Sequence, residues 1–226
     1  MKEGITLVVT SCGRFELLRR TLVSFFKFAD VMVTKVIIVE DSGLPASVVI
    51  GIMQKILSGM NLPKVPFVLV HNKVNLGQLA SIDLAYQLIE SNLFFHLEDD
   101  WEFYRTGFIK QSSKLLELYP WIHCVWLRSK EDTNGHPMEF IRDLGFHLLR
   151  LNYLGAWHGF TFNPGLRRTS DYRLLAPFKE RFDSEAAIGV QYMKMGFRGA
   201  LLSESGYVRH TGGSSSTRGM VGRNVS

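Results

Sequence analysis

The N-terminal half of the chain alternates short apolar runs with segments of helical periodicity, and this alternation narrows the possible folds more than any other feature. Ile5–Ser11, 36–41, Phe67–His71 and 93–97 read as buried strands. Between them, Phe15–Phe28 carries Leu18, Leu22, Phe25 and Phe26 at helical spacing. A second helix is expected over 45–57, and a third over 78–90, where Leu79, Ile82, Tyr86 and Ile89 share a stripe. Strands joined by helices predict a parallel sheet with both faces covered and right-handed crossovers. Ligands of such sheets bind at the carboxyl ends of the strands. Three strands end there in polar clusters: Thr10-Ser11-Cys12-Gly13-Arg14, Glu40-Asp41-Ser42-Gly43 and Glu98-Asp99-Asp100.

The second half is less regular. A helix over 106–118 stops at Pro120, and 122–127 is a further strand. The polar stretch 129–143, with Gly135 and Pro137, reads as a loop; 145–153 and 159–162 read as strands able to pair with each other. A helix over 184–195 and a short strand over 200–203 follow, and 212–226 is a Gly/Ser-rich, flexible tail. With no repeat and no linker, the 226 residues are expected to form one domain of two halves, 1–103 and 104–211. At 46% apolar residues the chain is far too rich in Leu, Ile, Val and Phe for disorder. Its two cysteines, Cys12 and Cys124, have no zinc spacing and read as buried reduced thiols. No apolar stretch is long enough to span a membrane, and the N-terminus does not read as a signal peptide, so a cytoplasmic protein is expected. The net charge, 26 − 21 = +5, suits a phosphate-bearing ligand or peripheral contact with an anionic membrane rather than a nucleic acid.

The dinucleotide fingerprint GxGxxG, the phosphate loop GxxxxGK[ST], the GxSxG elbow and HExxH are all missing from the sequence. The informative segment is Glu98-Asp99-Asp100, three consecutive acids directly after an apolar strand. Such a run repels itself unless a cation or hydrogen-bond donors sit among it. Hard oxygen donors of this kind suit Mg2+ or Mn2+ with positions left open for diphosphate oxygens. The alternative is a solvated turn at the start of a helix.

Four segments in order, TLVVTSCGR followed by Leu18-x-x-x-Leu22-x-Ser24, VIIVEDSG, HNKVNLGQLASIDLA and LEDDW, resemble those of glycosyltransferase family 2 enzymes of the GT-A fold. The resemblance runs over nearly the whole chain. It implies an α/β fold with a mostly parallel twisted sheet flanked by helices. The donor it implies is a nucleotide-diphospho-sugar of the UDP or GDP type, used with a divalent Mn2+ or Mg2+. The sugar would pass, with inversion, to a hydroxyl of a glycan or lipid-linked acceptor. By the same resemblance Thr10, Ser11 and Arg14 lie along the base and ribose. Glu40 accepts a hydrogen bond from them with Asp41 close by, and Asn75 and Gly77 shape the loop beneath the base. Glu98 and Asp100 match the outer residues of the family's DXD motif as metal ligands, with Asp99 behind them. His210 stands where similar enzymes place a histidine on metal or diphosphate, ahead of a tail that carries Arg218 and would close as a lid. Glu185 takes the catalytic base position of the family's ED-x-x-L block, with Asp183 as its rival. Two positions depart from the pattern: Ile82-Asp83 stand where the family often has Arg-Asn, and Glu98 replaces the first Asp of the motif.

Trp157-His158-Gly159-Phe160 and Arg167-Arg168 resemble the family's acceptor-side segment, so Trp157 and His158 are candidates to face the acceptor. Phe94, Phe95 and Trp126 read as core, and Trp101 either packs under the acidic turn or stacks on sugar. Two other classes compete. A sugar-phosphate nucleotidyltransferase would carry a GxGTRxxP loop that TSCGRFELL lacks. A non-catalytic nucleotide-sugar-binding protein would keep the pocket without a productive base.

Overall fold

Both faces of the first strand are buried, which is why its sequence shows no polar alternation. In the computed structural model, which describes residues 4–60 and 65–213, β1 (Ile5–Ser11) lies at the centre of the main sheet. Leu7 and Val9 face one layer of helices and Val8 the other. Around β1 the chain winds α1 (Phe15–Phe28), β2 (Val33–Glu40), α2 (Ala46–Ser58), β3 (Phe67–His71), α3 (Gln78–Tyr86) and β4 (Leu93–Glu98). These four strands are mutually parallel. There follow β5 (Trp101–Phe103), α4 (Phe108–Leu118), β6 (Ile122–Trp126), β7 (Met138–Ile141), β8 (Phe146–Leu149) and β9 (Gly165–Arg168). The chain continues through α5 (Thr169–Leu175), α6 (Phe178–Arg181), α7 (Glu185–Lys194), β10 (Arg198–Leu201) and β11 (Val208–His210).

The main sheet runs β3-β2-β1-β4-β9, with β9 antiparallel to β4. A second sheet runs β6-β10-β8-β7, and β5 pairs with β11. On one face α1, α2 and α4 bury Leu18, Leu22, Phe25, Val49, Met53 and Phe108. On the other, α3, α6 and α7 bury Ile82, Tyr86, Phe178, Ile188 and Tyr192. The fold is therefore α/β with a mostly parallel central sheet between helical layers.

The structure departs from the sequence reading in the second half. The expected loop 129–143 contains β7, which pairs with β8. The expected strand 159–162 is not one, because other groups take its backbone. Trp126 Nε1 donates to the Gly159 carbonyl at 2.8 Å, the Arg167 guanidinium to that of Thr161, and the Phe162 N–H goes to Glu185. Its expected partner therefore pairs elsewhere, β8 lying between β7 and β10. The edge of the main sheet is instead β9, which follows. Helix α3 ends at Tyr86 rather than at 90; Leu88 and Ile89 donate back only three residues, closing the last turn tightly. Beyond Gly213 the expected tail, with Arg218, lies outside the described residues. No helix among the described residues is long and apolar enough to cross a membrane.

Candidate active site

The register of the main sheet brings three polar loops to one level. Ser11 pairs with Glu40 across β1 and β2, and Thr10 with Glu98 across β1 and β4. The chain leaves β1 through Gly13, whose positive φ of 71° turns its N–H back onto β2. Gly13 N and Ser42 N donate to Glu40 Oε1 at 2.8 and 3.0 Å. Glu40 is fully buried, yet its Oε2 has no partner among the described residues; neither does the buried Ser11 Oγ. A buried carboxylate oxygen without a donor is costly unless a ligand supplies one.

Asp41 turns its carboxylate onto the neighbouring loop. Oδ1 accepts from Asn72 Nδ2 at 2.7 Å and Leu76 N at 2.8 Å, and Oδ2 from Gly77 N at 2.8 Å. Asn75 Nδ2 donates to the Asp41 carbonyl at 2.8 Å and lies 3.4 Å from Cys12 Sγ. Gly77, at φ 83°, starts α3. These residues shape the loop beside the rim, and Cys12 belongs to it. Its thiol is only half-buried and is pushed up by burial and by the charges of Glu40, Asp41 and Asp99.

The acidic turn after β4 is clasped from α1's side. Arg14 Nε lies 3.2 Å from Asp99 Oδ2, its second terminal nitrogen is on Asp99 Oδ1, and the first donates to Asp100 Oδ2 at 2.6 Å. Arg14, expected along the nucleotide, thus faces the acids. Asp99 is wholly buried, and burial pushes its carboxyl up to about 6 despite Arg14. Thr21 supports the turn from below, its hydroxyl donating to the Asp99 carbonyl at 2.8 Å and accepting from Trp101 N at 3.1 Å. Trp101 is buried under the turn, in ring contact with His210 at 5.0 Å. His210 Nε2 lies 3.1 Å from Asp100 Oδ2, and Thr211 N donates to the Asp100 carbonyl. A Cβ at Gly212 would collide with the Asp100 carboxylate and the His210 ring, so a side chain there would push both from their present positions.

Half-buried Glu98 accepts from Gln78 Nε2 at 2.9 Å and Trp101 Nε1 at 3.4 Å. Burial, then the charges of Glu185 and Asp100, push its carboxyl up to about 8. Glu185 opens α7, where Ser184 caps the helix by accepting from Ala187 N at 3.3 Å. The Glu185 carboxylate accepts from Phe162 N at 2.7 Å. Asp183, by contrast, is exposed and accepts from the Ser184 hydroxyl. Thr10, Ser11, Arg14, Glu40, Glu98, Asp99, Asp100, Glu185 and His210 therefore surround one rim, with Asp41, Asn75 and Gly77 shaping its edge.

Among the described residues no group of three or more His, Cys, Asp or Glu side chains converges as a complete metal site. Asp100 and His210 do fit as two donors. Adjacent ligands of an octahedral ion at about 2.1 Å stand about 3.0 Å apart, close to their 3.1 Å separation. Small divalent ions commonly take one or two protein ligands and fill the remainder with phosphate and water.

In the segment expected to face an acceptor, His158 is buried, with Nδ1 accepting from Asn152 N at 3.1 Å, and Trp157 closes a bridge to Tyr153. Arg168 pairs with Asp171, and Arg167 is core. Asp83 is buried too, accepting from Tyr172 Oη, Phe178 N and Lys179 N, which accounts for an acid at that position. Thr21, Gln78 and the Phe162 amide escaped the sequence reading because nothing in their own segments marks them.

The fold is of the GT-A glycosyltransferase type. No family model and no curated protein matches the chain in sequence. Solved structures do share its fold. The mannosyltransferase PcManGT from Pyrobaculum calidifontis, in complex with GDP-Man and Mn2+, superposes with a TM-score of 0.64 at 14% identity, over 89% of this chain and 56% of its own. S. aureus TarS superposes with a TM-score of 0.63 at 14% identity, over 92% of this chain and 37% of its own. TarS 1-349 in complex with UDP-GlcNAc gives 0.60 at 14%, over 94% and 61%. The chain spans less than two thirds of the length of each of these structures.

Proposed function

We propose that the chain is a glycosyltransferase that moves a hexosyl or deoxyhexosyl group from a UDP- or GDP-linked donor to a hydroxyl of a glycan or lipid-linked acceptor, with inversion. The observation that carries this reading is the orphaned Oε2 of buried Glu40, level with the acidic turn at the carboxyl ends of three parallel strands. A ribose hydroxyl or base N–H supplies the donor that oxygen lacks, and Ser11 Oγ, also unpartnered, lies on the paired strand. The solved structures of this fold bound to GDP-Man and UDP-GlcNAc support a nucleotide-sugar donor.

Asp100 and His210 would hold a divalent cation, Mn2+ or Mg2+, with Glu98 beside them. Bound there, the ion supplies Lewis-acid stabilisation of the diphosphate leaving group. Arg14 neutralises Asp99 and Asp100 and keeps the turn in shape. Glu185, positioned by the Phe162 N–H, takes the proton from the acceptor hydroxyl as its oxygen attacks the anomeric carbon and the diphosphate departs on the opposite side. Residues 1–103 supply the donor side and 104–211 the base, working as one domain. The protein would act in the cytoplasm, free or in peripheral contact with an anionic membrane.

Thermal unfolding with UDP- and GDP-sugars, with and without Mn2+, tests this reading. A donor at a hundred times its Kd stabilises the native state by about 2.7 kcal/mol. A shift with one nucleotide sugar, strengthened by Mn2+ and lost in Asp100→Ala, is the expected result. No shift with any nucleotide sinks the proposal. A shift together with no sugar transfer or donor hydrolysis leaves a binding protein on the same fold.

A further inference from the structure

Two acids hold Arg14, and they differ in how far they can move. Nε and one terminal nitrogen of Arg14 fork the buried Asp99, while the other terminal nitrogen, Nη1, donates to Asp100 Oδ2 at 2.6 Å. A planar guanidinium bonded along one edge keeps its remaining N–H groups aimed in a fixed direction. Asp99 therefore sets where Nη1 points. The Asp100 backbone is pinned as well, because the Thr211 N–H and hydroxyl donate to its carbonyl at 2.8 and 2.9 Å. Its carboxylate can still turn by side-chain rotation. A Cβ at Gly212 would meet both Asp100 Oδ2 and His210 Nε2, so the glycine keeps space beside these two donors.

We infer that Arg14 competes with the divalent ion for Asp100, and that donor binding resolves the competition by passing Nη1 from Asp100 to an oxygen of the diphosphate. The inference rests on the transferase reading. An ion at about 2.1 Å from Asp100 Oδ2 would stand within about 5 Å of Nη1. Two cations that close repel each other in a poorly screened site. Asp99 keeps the arginine from leaving, so the Asp100 carboxylate turns instead, and a phosphate oxygen takes its place on Nη1. Guanidinium and phosphate match in charge and geometry. The ion alone brings no such replacement. Arg14 is thus a positioning residue that makes tight metal binding depend on the nucleotide, and linkage requires the converse dependence to be equally strong.

Electron paramagnetic resonance of unbound Mn2+ measures the ion's affinity, without nucleotide and with UDP or GDP. Without nucleotide, Arg14→Gln is expected to bind Mn2+ roughly tenfold tighter than wild type or better, because the competing charge is gone. Arg14→Lys, which keeps the charge, should bind as weakly as wild type. With nucleotide the advantage of Arg14→Gln disappears, since its contact to phosphate is lost. In isotope-labelled wild type, the Arg14 Nε–H resonance, assigned by its loss in Arg14→Lys, should move with Mg2+ and nucleotide together and stay in place with Mg2+ alone. That resonance decides the matter where Arg14→Gln does not fold. With nucleotide binding intact, three results overturn this inference alone: equal Mn2+ affinities in wild type and folded Arg14→Gln, an advantage that persists with nucleotide, or a resonance that moves as far with Mg2+ alone. A thermal unfolding curve that responds to no nucleotide overturns the transferase reading, and this inference with it.

Discussion

Arg14 and Asp99 meet at two points, Nε on Oδ2 at 3.2 Å and a terminal nitrogen on Oδ1, so one guanidinium edge spans a carboxylate with no exposure to solvent. The remaining terminal nitrogen reaches Asp100 Oδ2, the oxygen that His210 also approaches. The acidic turn therefore has its own cation, and a metal bound through Asp100 Oδ2 would share that oxygen with Arg14 or displace it.

Removing Arg14 leaves Asp99 buried without a cation, with only the Cys12 N–H at 3.3 Å on Oδ2. Losing one partner of a buried pair costs about 3–5 kcal/mol, and Arg14 is itself partly exposed, so Arg14→Gln is expected at the lower end, about 3 kcal/mol. Urea unfolding in EDTA measures the loss, and Mn2+ should restore part of it. An unchanged midpoint would show that the clasp contributes little in solution.

Glu40→Gln can keep Oε1 on Gly13 N and Ser42 N while presenting an amide N–H₂ where Oε2 stood. A lost hydrogen bond to a charged group is worth about 1.5–3 kcal/mol, so nucleotide affinity should fall roughly 10- to 150-fold. Calorimetry with UDP and GDP decides it, and equal affinity in the variant removes Glu40 from the nucleotide site.

Glu185→Gln retains an oxygen for the Phe162 N–H but cannot take a proton. Turnover should drop by about 10²–10⁴ with donor affinity and Tm close to wild type. Asp183→Asn, changing an exposed side chain bonded only to its neighbour Ser184 among the described residues, should leave turnover within about two-fold. The reverse pattern would transfer the role to Asp183.

His123 is buried against Tyr192 and Phe160, and burial, with Arg167 and Arg168, holds its pKa well below the usual 6.5. Folded His123 therefore stays neutral while the unfolded state takes a proton below about pH 6.5. The stability it contributes is present above that pH and is lost as pH falls, by up to about 1.4 kcal/mol per unit. In His123→Phe the slope of stability between pH 6.5 and 5 should be shallower by about that amount. Parallel curves would show that another group carries the acid sensitivity.

The bounds of β1, α1 and β3 were legible because each is a local pattern, an apolar run or a helical stripe between turn residues. The level of Ser11, Glu40 and Glu98 was legible too, since parallel strands carry their carboxyl ends to one side of the sheet. The edge strand β9 was not, because Gly165-Leu166-Arg167-Arg168 has an unremarkable sequence and becomes a strand only by pairing with β4. Nor was the true course of 159–162, whose backbone groups are taken by Trp126, Arg167 and Glu185.

The sequence by itself determined an α/β chain with polar loops at one end of a parallel sheet, because side-chain periodicity and strand direction are properties of short segments. Only the tertiary structure decided what each polar group faces. Arg14 meets Asp99 across 85 positions, Asp83 is spent on α6, and one oxygen of Glu40 is left unpartnered among the described residues. Hydrogen bonds and ion pairs act over a few ångströms of space, and distance along the chain does not report which groups come that close.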